Sequence, residues 1–155
     1  MTTRGSGRKA QRNGETLEQM VEVQARANGW AVQRIATPFR LSRGRVVYTA
    51  KVVGDLVGCT ATGRAILIEC KSRQAAKTKA NPTGAGYRKP RLSDFEPHQL
   101  ATLQEWDNRG ALVLVAWIDG HQLRMDRATS LLWGVTEDPR HADEYHPTTQ
   151  IIRKK

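Results

Sequence analysis

The stretch Val52 to Arg73, VVGDLVGCTATGRAILIECKSR, decides how the chain is read. Its right half is an apolar run, Ala65 to Ile68, of the kind buried as a strand, yet it runs without a break into Glu69, Cys70 and Lys71. Ending a core strand in a carboxylate and an ammonium costs solvation, so both groups need partners. Side chains alternate across a strand, which puts Glu69 and Lys71 on one face and Ile68 and Cys70 on the other. With a turn over Gly58 to Gly63 centred near Thr62, Asp55 stands directly opposite Glu69 and shares its face. Asp55, Glu69 and Lys71 then form one cluster, in which two carboxylates repel unless positive charge lies between them.

A divalent cation meets that need. Mg²⁺ and Mn²⁺ take oxygen ligands, commonly one or two carboxylates completed by water and substrate phosphate. Asp55, Glu69 and the backbone carbonyl of Cys70 are the candidate ligands. A cation held there polarises a phosphodiester and acidifies a bound water, while Lys71 orients that water or offsets charge in the transition state. The D-x13-E-x-K spacing also fits a plainer arrangement, with Asp55 opening a turn and Glu69 and Lys71 forming an ion pair at a strand end.

Upstream, Leu17, Met20, Val21 and Ala25 recur at helical spacing between Glu15 and Asn28, with Thr16 and Gln19 as a capping box and Gly29 as the stop. Strands are predicted over Trp30 to Ala36, Arg45 to Val53 and Arg64 to Lys71. Gln74 to Arg91, with Pro82, Gly84, Gly86 and Pro90, has no periodicity and reads as a loop. Ser93 and Glu96 then form a capping-box pattern before a helix from Pro97 to Arg109, with Leu100 and Leu103 inward. Ala111 to Ile118 is apolar throughout, as in a strand covered on both faces, and Asp119 and Gly120 turn it into a partner over His121 to Met125. A short last helix is expected around Thr129 to Trp133. This order predicts an α/β (α+β mixed) fold: a central mixed β-sheet flanked by helices, in one domain over residues 15–135. Residues 1–14 form a flexible basic arm and residues 136–155 a polar tail.

Charge names the expected partner. Lys and Arg outnumber Asp and Glu by 25 to 15, a net charge of +10 that favours nucleic acid over a merely basic surface. The arm carries Arg4, Arg8, Lys9 and Arg12 with no acid, and a short hairpin carries Arg40, Arg43 and Arg45. From Cys70 to Ser93 there are Lys71, Arg73, Lys77, Lys79, Arg88, Lys89 and Arg91 and no acid, so a flexible basic loop leaves the candidate site directly. Such cations neutralise phosphate, the main source of DNA affinity. Cys59 and Cys70 have neither the number nor the spacing of a disulfide framework or a zinc site, and read as buried free thiols. No stretch reaches the roughly 20 apolar residues that cross a bilayer, and MTTRGSGRKAQRNG has no apolar core of a signal peptide, so the protein is expected to be cytoplasmic.

GDLVG and AILIECK together resemble the core of the PD-(D/E)xK nuclease superfamily. RNGETLEQM resembles the N-R-G-x-x-x-E opening, and LSDFEPHQL the F-x-P-H-Q motif, of the RecU-type Holliday-junction resolvases, more distantly related to the Hjc resolvases. The matches span most of residues 12–118. The resemblance implies a restriction-endonuclease-like core with Asp55 and Glu69 as metal ligands, Lys71 as the catalytic lysine, Glu18 as a supporting acid and Gln99 near the site. It also implies a homodimer that resolves four-way DNA junctions by paired nicks in Mg²⁺ or Mn²⁺. The chain departs from the family at Gly54, where Thr is usual, at Val53, where Pro is usual, and in a much shorter segment between Pro38 and Asp55.

Other readings stay open at this point. Glu18 and Glu22 also suit a solvated helix face, His98 suits a helix-start residue better than a general base, and His141 and His146 read as solvated. Another PD-(D/E)xK nickase, a restriction-type endonuclease and a non-catalytic basic DNA-binding protein are the alternatives.

Overall fold

The apolar alternation of the strands divides the interior in two. The computed structural model describes residues 17–36, 39–43, 45–48, 54–84, 86–120, 122–135 and 150–151. In chain order the elements are α1 (residues 17–27), β1 (Ala31–Arg34), β2 (Phe39–Ser42), β3 (Arg45–Tyr48), β4 (Leu56–Cys59) and β5 (Ala65–Cys70). A 3₁₀ turn (Leu92–Asp94) then leads into α2 (Pro97–Asn108), β6 (Leu112–Asp119), β7 (Gln122–Arg127), α3 (Ala128–Trp133) and β8 (Gln150–Ile151). Six strands form one mixed sheet in the order β1-β4-β5-β6-β7-β8, with β5 and β6 parallel and the other neighbours antiparallel. The fold is therefore α+β with a central mixed sheet, as the sequence predicts.

On one face, Ile66, Ile68, Leu112, Leu114 and Ala116 pack under Leu17, Val21 and Ala25 of α1. On the other, Leu67, Val113 and Val115 meet Leu103 of α2, Ala128 and Leu132 of α3, and Phe95. The parallel β5–β6 pair lies at the centre, and only a crossover can join parallel strands, a role filled here by the loop and α2. No helix among the described residues is long and apolar enough to cross a membrane.

Several boundaries differ from expectation. The segment over Arg45 to Tyr48 does not join the central sheet; it pairs with Phe39–Ser42 in a separate hairpin. The turn after it begins later than predicted, because β4 continues through Gly58 and Cys59 and the chain reverses at Thr60–Gly63, where Gly63 N–H donates to Thr60 O at 3.0 Å. The α2 cap also comes three residues later: Glu96, not Ser93, is the N-cap and its N–H donates to Gln99 Oε1 at 3.0 Å, since Ser93 is taken up in the 3₁₀ turn. Ala65 is exposed at the start of β5, and Cys59 and Cys70 are free but half-buried. The basic arm lies outside the described residues, as does the C-terminal tail apart from β8.

Glycine at 58 is required by a close approach. Opposite it in the register is Val32, and a Cβ there would overlap the Ala31 carbonyl oxygen and lie 2.8 Å from Val32 Cα. Gly58→Ala should therefore push β1 off β4 and lower stability by about 1–3 kcal/mol, the usual range for overpacking. Urea unfolding measures it, and a loss below about 0.5 kcal/mol would contradict this β1–β4 packing.

Candidate active site

The β4–β5 register pairs Leu56 with Ile68 and Val57 with Leu67, so one step further Asp55 stands opposite Glu69. Backbone bonds hold Asp55 from both sides: its N–H donates to Ile68 O at 3.0 Å, and its carbonyl accepts from Ile35 N–H at 2.8 Å. Its carboxylate Oδ2 accepts the Cys70 N–H at 2.6 Å. Lys71 N–H donates to Ala116 O at 2.8 Å, which extends the β5–β6 ladder one residue past the strand and keeps Lys71 on the Glu69 face.

On that face the side chains converge. Lys71 Nζ lies 3.0 Å from Glu69 Oε1 and 4.8 Å from the centroid of the Phe95 ring. Gln99 sits between them, its Nε2 donating to Glu69 Oε1 at 2.6 Å and its Oε1 accepting from Lys71 Nζ at 2.9 Å. The same Oε1 accepts the Glu96 N–H. Two donors at one end and a carboxylate at the other fix which way the amide points. The first turn of α2 thereby holds both Glu69 and Lys71.

Glu69 is only 3% exposed. Burial, then the neighbouring Asp55, pushes its carboxyl up from the usual 4.5 to about 7, against the pull of Lys71. Asp55 is raised as well, mainly by burial, with the Cys70 N–H and Lys71 opposing. Glu18, half-buried on α1, is close enough to add to the negative potential at Glu69 and at Cys70. The Cys70 thiol is pushed well up by burial, which suits a packing residue and not a nucleophile. Glu22 is spent elsewhere, with Arg26 at 2.7 Å and Arg34 at 3.2 Å. At the start of α2, the His98 backbone carbonyl accepts from Thr102 Oγ1 at 2.9 Å, and the residue is half-buried.

The donor set fits a hard divalent cation. Asp55 and Glu69 each give one oxygen to donors within the chain, at Oδ2 and Oε1, and among the described residues no donor reaches the other. A group of three or more His, Cys, Asp or Glu side chains arranged for a metal is absent among the described residues. Two carboxylates, a carbonyl such as that of Cys70, water and phosphate make up a magnesium-type set, whereas zinc would need more side chains. Gly54, beside Asp55, has a packing reason: a Cβ there would lie 2.6 Å from Leu67 Cδ1 in the core, so any larger residue requires Leu67 to shift.

The basic residues divide into groups. Arg4, Arg8, Lys9 and Arg12 lie outside the described residues, as do the side chains of Arg40 and Arg45; Arg43 is exposed at the β2–β3 turn. Lys77, Lys79, Lys89 and Arg91 are exposed and make no ion pair among the described residues. Arg73 and Arg88 find their acid just beyond that acid-free stretch: both pair with Asp94, at 3.5 and 2.7 Å. Nor is the loop untethered, since Arg88 N–H donates to Arg73 O at 2.9 Å and Ala75 N–H to Gly86 O at 3.0 Å. Asp94 is the residue that sequence reasoning missed. Its one signal was position, the first acid after seven cations and directly before the F-x-P-H-Q segment.

No protein-family model and no curated protein matches the chain, so the site stands on its own geometry.

A carboxyl raised to about 7 keeps in the folded chain a proton that the unfolded chain releases near 4.5, so Glu69 makes metal-free stability fall as pH rises between these values. Asp94 acts oppositely and lower: held down at about 2 from 3.8, it favours the fold above 3.8, and its contribution is lost as pH falls through 2. Thermal unfolding in EDTA should show the melting temperature falling across the Glu69 window, and Glu69→Gln should flatten that slope. An equal slope in the variant would remove Glu69 as its source.

Proposed function

We propose that this chain is a metal-dependent endodeoxyribonuclease of the PD-(D/E)xK kind, with a restriction-endonuclease-like core, that resolves four-way DNA junctions by symmetric paired nicks. The observation that carries the proposal is the opposition of Asp55 and Glu69 at the end of the β4–β5 hairpin, with Lys71 held beside Glu69 by Gln99. Asp55, Glu69 and the Cys70 carbonyl are the proposed ligands for Mg²⁺ or Mn²⁺. When bound, the cation supplies charge at the phosphodiester and acidifies an attacking water.

The chain's own groups do the rest. Glu69 presents its free oxygen because Gln99 and Lys71 occupy the other. Lys71, set over Phe95, brings an ammonium to where negative charge grows on the phosphate in the transition state. Glu18 adds negative potential from the α1 side without joining Asp55 and Glu69 in a three-acid group. Lys77, Lys79, Lys89 and Arg91 supply exposed charge for the DNA backbone, joined in this proposal by the N-terminal arm. Symmetric cleavage needs two active sites, which a C2 homodimer supplies in the symmetry of the junction. Two free thiols suit a reducing compartment, so the cytoplasm is part of the proposal.

Strand-labelled cleavage of four-way, nicked and linear DNA in Mg²⁺, Mn²⁺ and EDTA is the test. Asp55→Asn and Glu69→Gln should each lose at least about 10²–10³-fold in rate, the scale of one removed electrostatic contributor, while keeping DNA affinity. Lys71→Ala should lose activity but retain metal-induced stabilisation. Near-normal cutting by either carboxylate variant would end the assignment. Dimerisation should make the four-way junction bind at least about tenfold tighter than linear duplex, because engagement of a second arm is effectively intramolecular.

A further inference from the structure

The cations of the loop and the residues that hold Lys71 meet in one short segment, Asp94 to Gln99. Asp94 is 8% exposed and lies at the loop's exit. Arg88 grips its carboxylate with both ends of the guanidinium, Nη1 to Oδ2 at 2.8 Å and Nη2 to Oδ1 at 2.7 Å. The Arg91 N–H donates to Oδ2 at 2.9 Å, and Arg73 Nη2 donates to the Asp94 carbonyl at 3.0 Å. Arg73 comes two residues after Lys71 and Arg88 follows the Gln74–Tyr87 bridge, so Asp94 ties both sides of the loop's neck to the start of α2. The next residue, Phe95, faces Lys71, and Glu96 anchors Gln99.

Two consequences of this carboxylate oppose each other. Asp94 neutralises two arginines that would otherwise face phosphate, which weakens DNA binding. It also orders the loop before DNA arrives, so that the free cations of the loop need not be immobilised during binding. Bidentate pairing to a buried carboxylate favours the second effect, because exposed arginine–phosphate contacts are solvated and screened while the cost of ordering falls on the whole loop.

We infer that Asp94 is a positioning residue for DNA, a latch that holds the basic loop beside the Asp55–Glu69–Lys71 site as a preformed phosphate-binding rail; this rests on the nuclease reading above. Its test uses the full chain in EDTA, where no cleavage occurs, with a short fluorescein-labelled duplex. Asp94→Asn should weaken binding about fivefold or more, because the loop must then be ordered as DNA binds, a cost that outweighs the two freed arginines. If Asp94 instead only competed with phosphate, the same variant would bind tighter, with the log–log slope steeper by about 0.9 for each freed arginine, and the latch would be overturned.

Limited trypsin digestion gives an independent reading of the anchor. Cutting after Lys77 and Lys79 should quicken by about tenfold in Asp94→Asn and in Arg88→Met, and by no more in the double variant, because the two residues act as one pair. Cleavage across the whole chain at that rate, or additive effects, would mean general destabilisation and overturn the proposal. A wild-type chain that fails to bind duplex DNA would defeat the nuclease reading and the rail together. Bound DNA with unchanged loop cleavage in Asp94→Asn would defeat the latch alone.

Discussion

Everything at the candidate site depends on one register. Leu56 faces Ile68 across the β4–β5 hairpin, and that pairing puts Asp55 opposite Glu69. Strand side chains alternate with period two, so a slip of one residue in β4 would carry Asp55 to the α1 face and move Leu56 out of the core it fills. Burial of Leu56 and Ile68 on one face and Leu67 on the other therefore specifies the position of the acids. The core and the site are set by the same alternation, and the site is the point where the apolar pattern stops.

Burying two acids at that point is unfavourable in itself. Desolvation dominates the shifts of both Asp55 and Glu69, and the structure answers with few groups: one backbone N–H, one ammonium and one amide. Gln99 matters beyond its own bonds because its Oε1 also accepts at the α2 N-cap, so the start of a helix and the orientation of two charged side chains are one arrangement. Two acids to one ammonium among the described residues leave negative charge at the site. A site in that condition is suited to an external cation and a phosphate.

Net charge describes the basic loop poorly. Two of its cations, Arg73 and Arg88, are committed to Asp94, and the depressed Asp94 carboxyl, at about 2, follows from the Arg88 hydrogen bonds. The loop thus contains residues of two kinds: cations that organise it and cations left exposed to solvent. Composition counts them alike.

Local patterns in the sequence determined much. Helical spacing marked α1 and α2, the apolar runs marked β5 and β6, and the turn centred near Thr62 set the opposition of Asp55 and Glu69, because hairpin register depends on chain-local counting. Tertiary structure alone decided what counting along the chain does not reach. Gly58 reads as a breaker but lies inside β4, since β1 approaches too closely for a side chain; the Arg45 to Tyr48 segment pairs outside the main sheet because Phe39–Ser42 takes its edge. Gln99 reaches Glu69 across 30 residues, and Asp94 reaches Arg73 across 21. Those contacts exist because α2 packs its first turn over the end of β5, and packing between distant elements leaves no periodicity in the sequence to read.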